Sequence, residues 1–211
     1  MMTQPHGMLY VATNIGAEDE ADFNQWYDHE HVEERVAITG FLSGTRYQAV
    51  NAEYQYLGLY ETDSLDAFTS TDYHAAFTHQ TAWSVQNLQK MVNPMRRVST
   101  VVHKHGKGTG NQLAVLTLQA IDGSALSAWQ QQIIQTPGYI SSCVLMPDSV
   151  LSSPLPKESQ EQRKMQPMLL IHCSDALSCD RLAAAAAQLF AGEIQRYALN
   201  WQLTKQELTH G

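Results

Sequence analysis

The 211-residue chain repeats a pattern within itself. A repeat constrains a fold more than any single motif does, because two copies of one unit must bury each other's bare faces. "YLGLYETDSL", Tyr56 to Leu65, is echoed by "MLLIHCSDAL", Met168 to Leu177, at an offset of 112. "ITGFLSGTRYQAV", Ile38 to Val50, is echoed by "TPGYISSCVLMPDSV", Thr136 to Val150, and each copy places Gly before an aromatic residue and then an alternating run.

Alternation of β-branched and aromatic residues marks strands, and i, i+3/i+4 spacing marks helices. The first half reads as a strand at Met8–Ile15, a helix from Ala17 to the high thirties and strands at Phe41–Val50 and Tyr54–Glu61. A helical stretch from Ser64 to about Gln89 and a strand at Met95–His103 complete it. The second half gives the same order, βαββαβ, with a Pro/Ser/charge-rich insert expected to be a mobile loop.

Such a unit folds into a four-stranded antiparallel sheet with both helices on one face. The expected fold is therefore α+β: two tandem ferredoxin-like βαββαβ modules forming an intramolecular α/β barrel. The modules would span residues 1–104 and 111–211, with the inserted loop at 147–166, and a Gly/Lys-rich linker, "HKHGKGTGN", between them. The barrel interior is either a ligand cavity or filled by side chains.

Composition removes several function classes. The net charge is −8 with only 13 Lys+Arg, so a surface tracking phosphates would work against repulsion and nucleic acid is not an expected partner. No apolar run is long enough to span a bilayer, and "MMTQPHGMLYV" lacks the pattern of a signal peptide, which places the expected location in the cytoplasm. The three cysteines, Cys143, Cys173 and Cys179, are odd in number and scattered, as reduced thiols would be. There is no GxGxxG, GxxxxGK[ST] or GxSxG, and no nucleotide cofactor is expected.

"DFNQWYDHEHVEERVAITGFLSGTRY", followed by "YQYLGLYETDSLDAF" and "DYHAAF", resembles the EthD-like branch of the dimeric α/β-barrel superfamily over roughly residues 8–100. In relatives with one module two chains build the barrel; here one chain would supply both halves, as a monomer with an internal pseudo-dimer or as a weak homodimer. The resemblance implies a small-molecule site without naming a reaction, since activities in the superfamily range from cofactor-free monooxygenases, cyclases and isomerases to haem enzymes. Relatives often carry Pro two residues after the Glu-His, where this chain has Glu33.

At 100° per residue, Phe23, Trp26, Tyr27, Glu30, Glu34, Ala37 and Ile38 share one helix face, with His31 on its flank and Val32 and Val36 pointing away. Two glutamates inside the apolar stripe and two valines outside it call for a break or kink near His31. A neutral His31 at the barrel rim would be a proton acceptor, with Glu30 as its orienting partner. Alternatively, His31 seals a helix end. From the strands come Arg46, as an anion stabiliser or as half of a clasp to Glu30 or Glu34, and Tyr60, as a hydrogen-bond donor.

Tyr10, Asn14, Trp26, Tyr27 and Tyr56 are expected to shape a pocket for a flat organic ligand, with Gly58 leaving room between Tyr56 and Tyr60. His172 is expected opposite Tyr60, its counterpart at the 112-residue offset. No metal is expected, because His29/His31 and His74/His79 lack one-face spacing. The segment around "YDHEHVEERVA" has no equivalent in the second copy, where Trp129 to Gly138 takes nine steps against 14 from Trp26 to Gly40.

The residues so assembled point to a cofactor-independent acid–base enzyme acting on a small, mostly apolar organic molecule. A non-catalytic ligand-binding or structural barrel is the alternative, and a haem protein with His31 or His172 as axial ligand is a third.

Overall fold

The computed structural model describes residues 4–161 and 163–210. Eight strands close into an antiparallel barrel in the order β1-β3-β2-β8-β5-β7-β6-β4. They are β1 (Gly7–Asn14), β2 (Phe41–Asn51), β3 (Tyr56–Thr62), β4 (Val92–Gly106), β5 (Gln112–Thr117), β6 (Tyr139–Pro147), β7 (Met168–Cys173) and β8 (Glu193–Thr204). Taken around the ring, β4-β1-β3-β2 is followed by β8-β5-β7-β6, so fourth, first, third and second strand recur in each half. Gly40 and Gly138, at φ +86° and +84°, open β2 and β6 in the left-handed conformation that the echoed Gly-aromatic pairs require.

Helices pack on the outside of the wall. The first half contributes α1 (Glu20–Trp26), a π-helical turn (Tyr27–His31) and α2 (Val32–Ala37), then α3 (Thr71–Thr78) and α4 (Ala82–Lys90). The helical stretch expected from Ser64 to Gln89 is divided into a 3₁₀ turn at Leu65–Thr69, α3 and α4. Ser70 and Thr81 cap the two α-helices by accepting from the amides of Tyr73 and Ser84, which is why the run is interrupted there. The second half contributes α5 (Gly123–Ile133) and α6 (Ala176–Phe190), and a short α7 (Lys205–His210) ends the chain.

Strand alternation divides the apolar residues into three cores. Tyr10, Tyr47, Leu57, Leu59, Leu113, Leu170 and Tyr197 fill the middle of the barrel. Leu9, Phe23, Trp26, Tyr27, Val32, Tyr56, Tyr60 and Val98 pack between the wall and the first-half helices, and a third core lies under α5 and α6. Of the two expectations for the interior, the middle of the barrel follows the filled one, because large Tyr and Leu side chains meet across so narrow a ring.

The alternation also corrects the repeat register. Leu57 and Leu59 point inward, as do Met168 and Leu170, so the offset that preserves the face is odd. At 112, Tyr60 on the outer face is matched with His172 on the inner one, the face exchange that a one-residue slip always produces.

The insert after β6 is tied down rather than mobile. Its backbone and side chains run beside the part of β4 that β6 leaves unpaired: the Asp148 amide donates to the Val98 carbonyl at 2.8 Å, and the Val98 amide to Ser152 Oγ at 2.9 Å. Glu158, 8% exposed, accepts from Arg97 Nη1 and from Arg163 Nε at 2.9 Å.

Candidate functional site

The π-helical turn decides which side chains of the acid-rich helix face the sheet. One extra residue in that turn advances everything after it by one position. Phe23 and Trp26 are buried before the turn, Tyr27 and His31 at its two ends, and Val32, Arg35 and Val36 after it. Glu30 and Glu34, which a regular helix would place inward, are only half-buried. The expected discontinuity near His31 is thus a π turn, and its chemical effect is to replace two carboxylates on the inner face by an imidazole and a guanidinium. In the second half of the chain, α5 is an uninterrupted α-helix.

Above this face lies a cavity of about 240 Å³ between the barrel wall and the helices. Leu9, Val11, Tyr60 and Arg96 form its floor, His31, Arg35, Phe77, Val85 and Leu88 its helical side, and Leu155 and Pro156 of the insert close it. No Asp or Glu is among its lining residues within the described part of the chain.

His31 is 7% exposed, and its Nδ1 has no partner among the described residues. Its ring lies 4.2 Å from that of Trp26 and 4.9 Å from that of Tyr27, with Tyr60 edge-on at 6.3 Å. Burial, reinforced by the nearby Arg35 and Arg46 cations, holds its pKa well below the ordinary histidine value, so the ring is neutral at pH 7. Tyr60 is pushed well up by burial first and then by the neighbouring Tyr27 phenol, and remains protonated. Arg35, 4% exposed, has a shielded Nη1 without a partner, and its guanidinium carbon sits 4.8 Å over the Phe77 ring.

Glu30 does not touch His31. Its Oε1 accepts from Thr81 Oγ1 at 2.6 Å and Ser84 Oγ at 3.0 Å, and Ser84 Oγ accepts from Trp26 Nε1 at 3.0 Å. The carboxylate therefore reaches the imidazole only through the Trp26 ring packed against it. Consecutive side chains of a helix point apart, and Thr81 and Ser84 hold the Glu30 carboxylate, which replaces the expected Glu30–His31 pair.

Arg46 is absent from the cavity lining. It is 2% exposed and bonds Asp28 at 2.6 Å and Asn24 at 2.8 Å, with its guanidinium 4.3 Å over the Tyr27 ring and 5.1 Å over that of Tyr56. Asp28, not Glu30 or Glu34, completes the clasp. Tyr56 donates to Glu20 at 2.5 Å, and Asn14 binds the Gln55 amide at 2.8 Å, so both fix the ends of strands. Tyr10 lies in the barrel core with its hydroxyl unpartnered among the described residues.

His172 faces a separate pocket of about 150 Å³ at one end of the barrel, with Tyr47, Glu61, Lys104 and Cys143. Its pKa is pushed down to about 4, chiefly by burial. Of the ten residues singled out from the sequence, His31, Trp26, Tyr27 and Tyr60 gather in one place. Arg35, Phe77 and the Leu155–Pro156 wall were not singled out. Arg35 lies four residues beyond His31, a one-face spacing that could have pointed to it.

The buried His31 and the partly buried His172, both neutral, make stability depend on pH. The unfolded chain takes up their protons near pH 6.5, whereas the folded chain does so only well below, near 4 for His172. Stability is fully present above pH 6.5 and falls as pH falls, by about 1.4 kcal/mol per pH unit for each histidine. Urea titrations at pH 7, 6 and 5 should show this decline, and His172→Gln should remove one histidine's share of it; an unchanged slope would refute the assignment.

No family model matches the chain, and no curated protein does. Solved structures share its fold over nearly the whole length. An anthrone oxidase-like protein is 12% identical with a TM-score of 0.67, covering 98% of this chain and 96% of its own. A chlorite dismutase-type protein is 8% identical with a TM-score of 0.58, covering 98% of each chain. A proposed monooxygenase from Lactobacillus acidophilus is 8% identical with a TM-score of 0.57, covering 96% of this chain and 97% of its own.

Proposed function

With the fold that of the dimeric α/β-barrel proteins, we propose that this chain is an enzyme doing cofactor-independent acid–base chemistry, of isomerase, lyase or cyclase type, on a small apolar or aromatic molecule held between the barrel wall and the first-half helices. The observation that carries it is the buried His31, whose ring is neutral and lies in the wall of an otherwise largely apolar cavity. His31 takes a proton from the substrate, Arg35 stabilises the negative charge left behind, and Tyr60 positions the ring. Trp26, held by Ser84 and Glu30, fixes the imidazole plane.

We read the two halves, with their recurring strand order, as tandem ferredoxin-like modules of an EthD-like relative, the first carrying the site and the second completing the barrel as an internal pseudo-dimer. The likeness to an anthrone oxidase-like fold favours an aromatic substrate.

Haem is implied for some members of this superfamily. An axial histidine has its second ring nitrogen held by a carboxylate, carbonyl or water. The Nδ1 of His31 and that of His172 both lack such a partner among the described residues, and the His31 ring is packed against Trp26. Neither a carboxylate nor a carbonyl supports either ring among the described residues, so nothing here favours the haem reading.

Met91 lines the cavity and Met168 lies in the barrel core, so their methyl groups report separately. With ¹³C-methyl-methionine protein, aromatic ketones and phenols of one or two rings are expected to shift the Met91 signal and leave that of Met168 in place. A panel that leaves Met91 unmoved would overturn the reading.

A further inference from the structure

Arg35 carries a charge that no ion pair among the described residues compensates. It is 4% exposed, forms no ion pair within 4 Å among the described residues, and leaves Nη1 shielded and unbonded. The acids nearest in sequence turn elsewhere: Glu30 binds Thr81 and Ser84, and Glu34 approaches Ser84 at 3.4 Å. A buried guanidinium without an anion is costly, and proteins tolerate it where something else supplies the negative charge.

The other cation of the cavity is already committed. Arg96 spends its guanidinium on the Tyr73 hydroxyl at 2.8 Å, the Leu151 carbonyl at 2.8 Å and Ser153. The remaining polar lining, His31 included, is neutral, and no carboxylate enters it. Two cations, no acid among the described lining residues and a single guanidinium without an ion pair specify the sign and the place of the charge a ligand should bring.

Resting on the reading of this cavity as the substrate site, we infer that its ligand is an organic anion: an apolar body bearing one ionised oxygen group, seated against Arg35. A carboxylate and an ionised phenol or enol share that chemistry. The π turn is the device that builds the preference, because without its extra residue Glu30 and Glu34 would face the cavity in place of His31 and Arg35, and an anion would be repelled.

The test compares isosteric pairs on the intact chain, following the Met91 methyl signal. Benzoate is set against benzamide, and 4-nitrophenolate at pH 8 against 4-nitroanisole. Each anion is expected to bind about 10- to 100-fold more tightly than its neutral partner, the worth of a charge-assisted hydrogen bond away from water. Preference in one pair alone identifies the source as carboxylate or as ionised hydroxyl.

In Arg35→Met the preference should collapse to within about threefold, while the melting temperature stays level or rises because a buried charge has been removed. Neutral partners binding Met91's cavity as well as the anions would overturn the inference and leave the site standing; no compound moving Met91 would overturn both. Should Arg35→Met fail to fold, the wild-type preference still decides the matter.

Discussion

Replacing His31 by glutamine lowers turnover of a substrate processed in the cavity by about 10²–10⁴-fold and costs little stability. The two halves of that expectation come from the same geometry. Nδ1 of His31 has no partner among the described residues, so the substitution breaks no hydrogen bond there, and a glutamine side chain of similar length can keep the contact with Trp26 and Tyr60. A histidine kept for the fold would behave in the opposite way, lowering the melting temperature with no effect on catalysis.

The pH profile carries a second signature. Because burial and the two arginines favour the neutral ring, the acidic limb of kcat/KM should fall below pH 6.5, and it should vanish in His31→Gln. A loss of activity well under tenfold in the variant would remove His31 from the chemistry. Glu30→Gln should be milder, since it acts on the imidazole only through Ser84 and Trp26.

Much of this site could be read from the residues, and what could not has a physical cause. The repeat and the alternation of its strands indicated eight antiparallel strands, because period-two patterning survives even where the two copies share few identities. Val32 and Val36, out of phase with Phe23 and Trp26, signalled a discontinuity near His31. Whether that discontinuity is a break or a π turn depends on backbone hydrogen bonds, and only the π turn puts Arg35 beside His31 on the inner face. Tyr60 and His172 were placed together by a register one residue off, and in a strand one residue is the difference between the two sides of the wall. The insert read as loose because its composition is that of a loop; nothing local in "PLPKESQEQRK" reveals that Arg97, some 60 positions earlier, is waiting for Glu158.

That pairing is where the largest loss of stability is expected. Glu158→Ala should destabilise the protein by about 3–5 kcal/mol, the range for removing one partner of a buried ion pair. The carboxylate accepts from Arg97, from Arg163 and, more weakly, from the backbone amides of Arg96 at 3.3 Å and Leu155 at 3.2 Å. Without it, Arg97 stays buried at 4% exposure with its charge uncompensated. Glu158→Gln, which preserves acceptors but not charge, should fall between alanine and wild type.

The cost is also local, and this links stability to the site. The insert covers the edge of β4 that β6 leaves open and brings Leu155 and Pro156 against the cavity. Releasing it should deprotect the amides of Arg96 and Val98 in hydrogen exchange well before the β1 amides, and should weaken any ligand detected at Met91. Pairing Glu158→Leu with Arg97→Met should recover most of the lost stability, because two apolar side chains remove the charge that the single variant leaves stranded. A Glu158→Ala protein within about 1 kcal/mol of wild type in urea would mean that the insert is held by its other contacts, and the cavity wall would then owe nothing to the ion pair.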